Sequence, residues 1–298
     1  MAAQPTIGFI GLGIMGQPAA RNLLGAGYPL VVNDLREDRV RELEALGADA
    51  ARTPAAVASA ADVVITFLPE GKHVREVALG DDGLIEGADD GLVYVDMSTV
   101  GPAAIREVGE ALDAVGVQTI DAPVSGSEQG SKDGSLRLMV GCDGPIPDEV
   151  GEIFDVVGGQ VVRIGDRGAG QVAKICNNMI GAASTVALSE ALVFAEKAGV
   201  DKERLVEGMS GATGQTWVLD NRAEEMIAHD FEPGFFGSYH YKDLRIGLED
   251  AREYGVPVPL SSVNHELYKA LEAKGRGDLD TSAVLTVLED LAGLDHDV

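Results

Sequence analysis

The sequence predicts a doubly wound, mostly parallel α/β domain over residues 1–165, an all-α domain over residues 166–298, and a long helix joining the two. Three observations carry this. Short β-branched runs alternate with helical stretches through the first half, a pattern that wraps a parallel sheet in helices. Strand patterns stop beyond about residue 166 and long helical segments follow through Leu291. At this change the chain enters one uninterrupted helical stretch, from about Gln171 to Ala198, with Gly199 as its stop signal.

Taken in order, "TIGFIG" reads as the first strand and "MGQPAARNLLGAG" as its helix, followed by "PLVVND" and "EDRVRELEALGA" as the second pair. Further strands are expected at "DVVITFLP", "GLVYVDMS", "VQTIDAPV", "LRLMVGC" and "QVVRIG". No internal repeat or low-complexity linker separates the halves.

"GLGIMG" places glycines at 11, 13 and 16, a G-x-G-x-x-G pattern that follows a strand and opens a helix. Asp34 ends the next strand, after Asn33, so the motif sits in the βαβ context of a Rossmann domain. Glycines there let the backbone approach a pyrophosphate at the helix N-terminus, and Ile14 and Met15 belong to the same turn. Asp34 suits the ribose hydroxyls of NAD and repels the extra phosphate of NADP, while Arg36 nearby leaves NADP open. The bland alternative is a structural glycine turn with a capping aspartate. "GAGQVA", residues 168–173, also follows a strand and opens a helix, but no second strand with a terminal acid follows, so it reads as a tight helix entry.

Lys174 and Asn178 are four residues apart, so on a helix they share a face. A buried lysine is costly unless paired or neutral, and such an amine can pass a proton to or from an oxygen where hydride transfer places charge. Asn178 would hold the substrate by hydrogen bonds. The same spacing also fits a lysine reaching to solvent and asparagines capping a kink.

Composition narrows the partners. Acidic residues outnumber basic ones 49 to 23, a formal charge of −26, which repels nucleic-acid phosphates and anionic membranes. This excess fits either a solvated acidic face or adaptation to high salt. Two cysteines and five histidines, none at metal spacing, suggest neither a disulfide framework nor a metal site. The N-terminus "MAAQPTIGFIG" lacks a secretion pattern, and the uncharged run from Ile175 to Ser189 is short and polar for a bilayer span, so a soluble cytoplasmic protein is expected.

Five motifs, "GFIGLGIMG", "DMSTVGP", "DAPVSG", "GQVAKICNN" and "FEPGFFGSYHYKDL", stand in the order and spacing of the β-hydroxyacid dehydrogenase family, which includes 3-hydroxyisobutyrate dehydrogenase and tartronate semialdehyde reductase. The resemblance spans residue 6 to about 250. It implies a Rossmann domain, a helical second domain that shapes the substrate pocket and subunit contacts, and NAD(P)-dependent conversion of a small 3-hydroxy acid or its semialdehyde by a homodimer or homotetramer. By resemblance Lys174 is the catalytic lysine and Asn178 orients the substrate. Lys242, with Asp243 beside it, reaches toward cofactor and substrate; Ser125 and Gly126 bind the substrate carboxylate. Thr99 lies near the nicotinamide, and Leu68 and Pro69 near its ribose.

Ser127 departs from the family's second glycine, adding a hydroxyl beside the substrate loop, and Glu128 follows it. Trp217 falls where such enzymes face the cleft, although core packing is the commoner use of tryptophan. A histidine mechanism of the 2-hydroxyacid type lacks its carboxylate and arginine partners here. A noncatalytic nucleotide-binding relative or an imine reductase would be expected to lack Lys174.

Overall fold

The structure is a computed structural model that describes residues 4–294. The first three residues of the expected leaderless N-terminus, and His296, lie outside the described residues. The chain divides into two compact units, residues 1–174 and 175–298, so the first turn and a half of the long helix goes with the sheet.

The sheet unit holds strands β1 (Ile7–Ile10), β2 (Leu30–Asn33), β3 (Asp49–Ala50), β4 (Val63–Thr66), β5 (Val93–Asp96), β6 (Gln118–Asp121), β7 (Val124–Ser125), β8 (Leu136–Cys142) and β9 (Gly158–Gly165). Their order is β3-β2-β1-β4-β5-β6-β8-β7, with β9 on β8. From β3 to β6 every pairing is parallel; β8 runs antiparallel to β6 and β7, and β9 returns parallel to β8. Pro123 interrupts the edge line between β6 and β7, as a residue without a donor must.

Alternation along the strands explains why both faces are apolar. In β1, Ile7 and Phe9 enter one core with Val32, Ile65, Val95 and Ile120. Ile10 enters the other, with Val64 and Tyr94. A parallel sheet buried on two sides reads as nearly continuous hydrophobic runs, which is why these strands were legible. Helices α1 (Gly16–Gly25), α2 (Glu37–Glu44), α3 (Pro54–Ala58), α4 (Gly71–Leu79), α5 (Leu84–Gly87), α6 (Pro102–Asp113), α7 (Ser127–Lys132) and α8 (Asp148–Val157) complete this unit. Gly8 permits the close approach of α3, since a Cβ there would lie 2.4 Å from Val57 Cγ1.

Helix α9 runs unbroken from Ala169 to Lys197 and carries the chain into the helical unit. That unit adds α10 (Lys202–Met209), α11 (Trp217–Ala228), α12 (Gly237–Glu253), α13 (Pro259–Ala273), a 3-10 turn (Thr281–Ala283) and α14 (Val284–Ala292). Side-chain caps start two of the α-helices: Asp201 Oδ1 accepts the Arg204 N–H at 2.8 Å, and Thr216 Oγ1 accepts that of Leu219 at 3.1 Å. Ala182, Val186, Leu192, Met226, Leu244, Tyr268 and Leu285 form its core.

An 18-residue stretch within α9 has a mean hydropathy of 1.4, long and apolar enough by composition alone to cross a membrane. Its apolar character has a local cause: Ala182, Val186, Leu188 and Leu192 are buried within the helical unit's own core.

Candidate active site

The glycine loop has two glycines that the backbone requires and one that it does not. Gly11 adopts φ +96°, and a Cβ there would fall 2.4 Å from the Phe67 carbonyl oxygen. A Cβ on Gly16 would fall 2.0 Å from the Gly11 carbonyl oxygen. Around Gly13 the nearest atom is Arg36 Nη2, at 4.0 Å, so its missing side chain leaves an open cradle at the N-terminus of α1. That open space at the N-terminal end of α1 fits a pyrophosphate.

Asp34 closes the loop from the end of β2. Its Oδ2 accepts the Leu12 N–H at 2.6 Å, and its Oδ1 accepts the backbone N–H of Arg36 at 2.8 Å and that residue's Nε–H at 3.2 Å. The guanidinium also donates to the Leu12 carbonyl, at 3.1 Å. Asp34 and Arg36 are thus anchored to one another and to the same loop. Asn33 has a supporting position: its side chain donates to the Ala51 carbonyl at 2.9 Å, and its own carbonyl accepts the Gly11 N–H at 3.1 Å. Ile14 is exposed, whereas Met15 packs on the core and its carbonyl accepts the Ser131 hydroxyl at 2.6 Å.

Because β1, β4 and β5 are parallel and in register, their C-terminal ends bring the loops carrying Leu68, Pro69 and Thr99 to the same sheet edge as the glycine loop. The Leu68 N–H donates to Ser98 Oγ at 2.8 Å, and that hydroxyl donates to Asp96 Oδ1 at 2.6 Å. On β7, Ser125 precedes Gly126 at φ +146° and Ser127 at φ +56°, where α7 begins. Ser127 holds a left-handed conformation that suits the glycine usual at this place. Glu128 is ion-paired to Lys132 at 2.6 Å. A hollow of about 520 Å³ lined by Asp113, Gln118, Thr119 and Arg167 lies at the opposite end of β6, away from these motifs.

Two buried side chains set the start of α9. Asp121, at the end of β6, accepts the Gly168 N–H at 2.6 Å and the Gln171 N–H at 2.9 Å, serving as the helix's N-terminal anchor. Burial pushes its carboxyl up from 3.8 to about 6, against the two amides that favour the charged form, with Asp96 adding to the rise. Gly141 and Gly170 make the room, since a Cβ on either would crowd that carboxylate at 2.4 and 2.7 Å. Gln171 bonds the loop after β5. One turn further, Lys174 is buried, at 7 % exposure.

In the helical unit Asn178 is 6 % exposed, and its Nδ2 donates to Asp243 Oδ2 at 2.5 Å. Asp243 also pairs with Lys242, at 3.0 Å. This pairing, together with the unbroken helix, removes the kink-capping alternative for Asn178. His240 Nε2 lies 2.9 Å from the Asn178 backbone carbonyl, which can only accept, so the ring proton sits on Nε2. Its Nδ1 is 2.6 Å from Thr281 Oγ1, itself 2.9 Å from the Tyr268 hydroxyl. Trp217 is 66 % exposed on the first turn of α11, with the Arg222 guanidinium 5.9 Å from its ring, so the core-packing alternative fails. Sequence reasoning missed Asp121, Gln171 and Thr281 as supports; the first two stood inside quoted motifs, and Thr281 had no local signal.

Two family models tile this chain: the NAD-binding domain of 6-phosphogluconate dehydrogenase over residues 6–165, and the NAD-binding model of NADP-dependent 3-hydroxyisobutyrate dehydrogenase over residues 168–288. The Escherichia coli 2-hydroxy-3-oxopropionate reductase is 36% identical, covering 96% of this chain and 98% of that protein. The chain belongs to the β-hydroxyacid dehydrogenase family. Among other members, the 2-(hydroxymethyl)glutarate dehydrogenase of Eubacterium barkeri is 35% identical, over 97% of this chain and 96% of that one. A solved structure of Mycobacterium tuberculosis 3-hydroxyisobutyrate dehydrogenase with L-serine superposes with a TM-score of 0.88 at 33% identity, covering 96% of this chain and 99% of the other. This β-hydroxyacid dehydrogenase is accordingly an oxidoreductase of the hydroxyacid dehydrogenase class that binds a nicotinamide cofactor, with a Rossmann domain followed by an all-helical domain.

Proposed function

We propose that the protein interconverts a small 3-hydroxy acid of the 3-hydroxyisobutyrate type and its semialdehyde, with NAD preferred and Lys174 as the proton-transfer group. The observation that carries this is the burial of Lys174 one turn before Asn178, on a helix whose start is anchored by Asp121. Lys174 and Asn178 lie about one turn apart on α9, a rise of about 6 Å. When bound, the nicotinamide supplies the hydride acceptor or donor. Gly13 and the first turn of α1 hold its pyrophosphate, and Asp34 accepts from its ribose hydroxyls while disfavouring an added phosphate there.

The remaining work belongs to this chain. Ser125 and the Gly126 N–H receive the substrate carboxylate. Asn178, its amide oriented by Asp243, positions the hydroxyl. In oxidation the neutral Lys174 amine takes the hydroxyl proton as the carbon loses hydride; in reduction the ammonium returns it to the oxygen.

A second reading, reduction of 2-hydroxy-3-oxopropionate, is supported by the name of the E. coli relative and by the extra hydroxyl of Ser127. We further infer a homo-oligomer, because Ile180, Ala187 and Phe194 line one exposed, largely apolar stripe of α9. The test of the chemistry is Lys174→Met, assayed by nicotinamide absorbance on both substrate types with NAD and NADP. It should lower kcat about 100-fold or more while NADH binding, measured separately by fluorescence, stays within about threefold. Survival of turnover would remove Lys174 from the role.

A further inference from the structure

Gln171 is completely buried in the sheet unit, and its side-chain amide bonds three backbone groups of the loop after β5. Its Oε1 accepts the N–H groups of Val100 at 3.0 Å and Gly101 at 3.2 Å, and its Nε2 donates to the Ser98 carbonyl at 2.8 Å. The loop it grips carries Thr99. The residue three positions on along α9 is Lys174. Helix geometry places that lysine on the turn after Gln171, on the same side.

The clamp extends further. Ser98 Oγ donates to Asp96 Oδ1 and accepts from Leu68, as described, and Thr66 Oγ1 donates to the same Asp96 oxygen at 2.7 Å. Two loops at the strand ends and the first turn of α9 are therefore linked through one buried polar network. A glutamine buried merely as filling would be a poor choice, since an apolar side chain avoids the desolvation cost of the amide. The pattern used here, two acceptor bonds and one donor bond to main chain, fixes the loop's register against the helix rather than filling space.

We propose that Gln171 is a positioning residue for proton transfer: its amide sets the distance between the loop carrying Thr99 and the turn carrying Lys174. This rests on the reading of Lys174 given above. Hydride and proton must move at adjacent atoms of one substrate, and a misplacement of about 1 Å costs on the order of 100-fold in rate.

Two variants test it. Gln171→Met keeps the volume and removes all three bonds. Gln171→Glu keeps the acceptor toward Val100 and Gly101, sets a carboxylate oxygen against the Ser98 carbonyl when ionised, and restores the donor when protonated. The Met variant should lower kcat about 10- to 100-fold with KM for the hydroxy acid and Kd for NADH within about threefold. In both variants kcat is followed across pH, and amide hydrogen exchange at Val100 and Gly101 is measured without cofactor. Exchange at these two amides should quicken in the Met variant and stay slow in the Glu variant, whose kcat deficit should shrink as pH falls.

A kcat within about twofold of the parent in both variants, or a Glu deficit indifferent to pH, overturns the proposal. Should Gln171→Met fail to fold, the pH profile of Gln171→Glu decides alone. Lys174→Met, run in parallel, separates the two readings. Retained turnover there defeats the lysine assignment and this proposal with it; lost turnover there with unimpaired Gln171 variants defeats the positioning role only.

Discussion

Asp121 in the sheet unit and Asp243 in the helical unit are both almost inaccessible, at 0 and 2 % exposure, yet they are satisfied by different partners. Asp121 accepts two backbone N–H groups at the start of α9. Asp243 is met by side chains, the Asn178 amide and the Lys242 ammonium. The contrast recurs, with an exception on each side. Asp34 is held chiefly by loop amides, whereas Glu289 is held by the imidazole of His229 at 2.9 Å; in the helical unit Asp280 accepts the N–H groups of Gly234, Phe235 and Ser282, and in the sheet unit Asp96 is met mainly by the Thr66 and Ser98 hydroxyls. Strand ends and glycine turns leave main-chain donors unpaired, and an acid can collect them; regular helices use theirs internally, so buried acids between helices must find side chains.

The sharpest way to break this contrast is Asp121→Asn. An asparagine keeps one acceptor oxygen but turns an NH2 toward an amide N–H, leaving a buried donor without a partner and one anchor of α9 lost. Stability should fall by about 2 to 3 kcal/mol, read as a lowered urea midpoint. The pH dependence gives an independent mark. The folded value of about 6 lies above the ordinary 3.8, so the native state takes up a proton that the unfolded chain does not. This group's stabilising contribution is therefore complete below about pH 4 and is lost as pH rises through 6. That slope should be absent from the variant's stability profile.

In the helical unit the corresponding probe is His240→Phe. The ring volume is nearly kept, so the loss is polar: the Asn178 carbonyl loses a 2.9 Å donor and Thr281 a 2.6 Å partner. The Asn178 carbonyl keeps its place in the α9 hydrogen-bond ladder, which limits the damage. Destabilisation of about 1 to 2 kcal/mol is expected in chemical denaturation, less than for Asp121→Asn because no buried N–H is left facing another donor. An effect larger than that of Asp121→Asn would reverse the ranking of amide-satisfied over side-chain-satisfied burial.

The same contrast sets what was legible from the residues alone. Gly11, Gly13, Gly16 and Asp34 interact within one βαβ segment, and Lys174 and Asn178 are one turn apart, so local patterns reach them. Asp121 meets Gly168 across 47 residues, Gln171 meets Ser98 across 73, and His240 meets Thr281 across 41. No periodicity encodes such pairings. Strands buried on both faces were legible as apolar runs, but β3 and β7, at two residues each, are too short to carry any pattern.

Ser127 tests the comparison at its smallest scale, where a side chain stands in a place suited to none. It holds φ +56° immediately after Gly126 at φ +146°, on the loop read as the carboxylate site. A left-handed serine costs about 1 kcal/mol, so Ser127→Gly is relieved of that strain but gains unfolded-chain entropy, which offsets up to about 1 kcal/mol. The net change in stability should be within about 0.5 kcal/mol, the least of the series. Its effect should instead fall on substrate choice, with the ratio of kcat/KM between 3-hydroxyisobutyrate and a more hydroxylated analogue shifting toward the branched, less polar acid by about 3- to 10-fold. An unchanged ratio would show that the hydroxyl at this position does not face the reacting acid, and would move the source of selectivity off the Ser125–Ser127 loop.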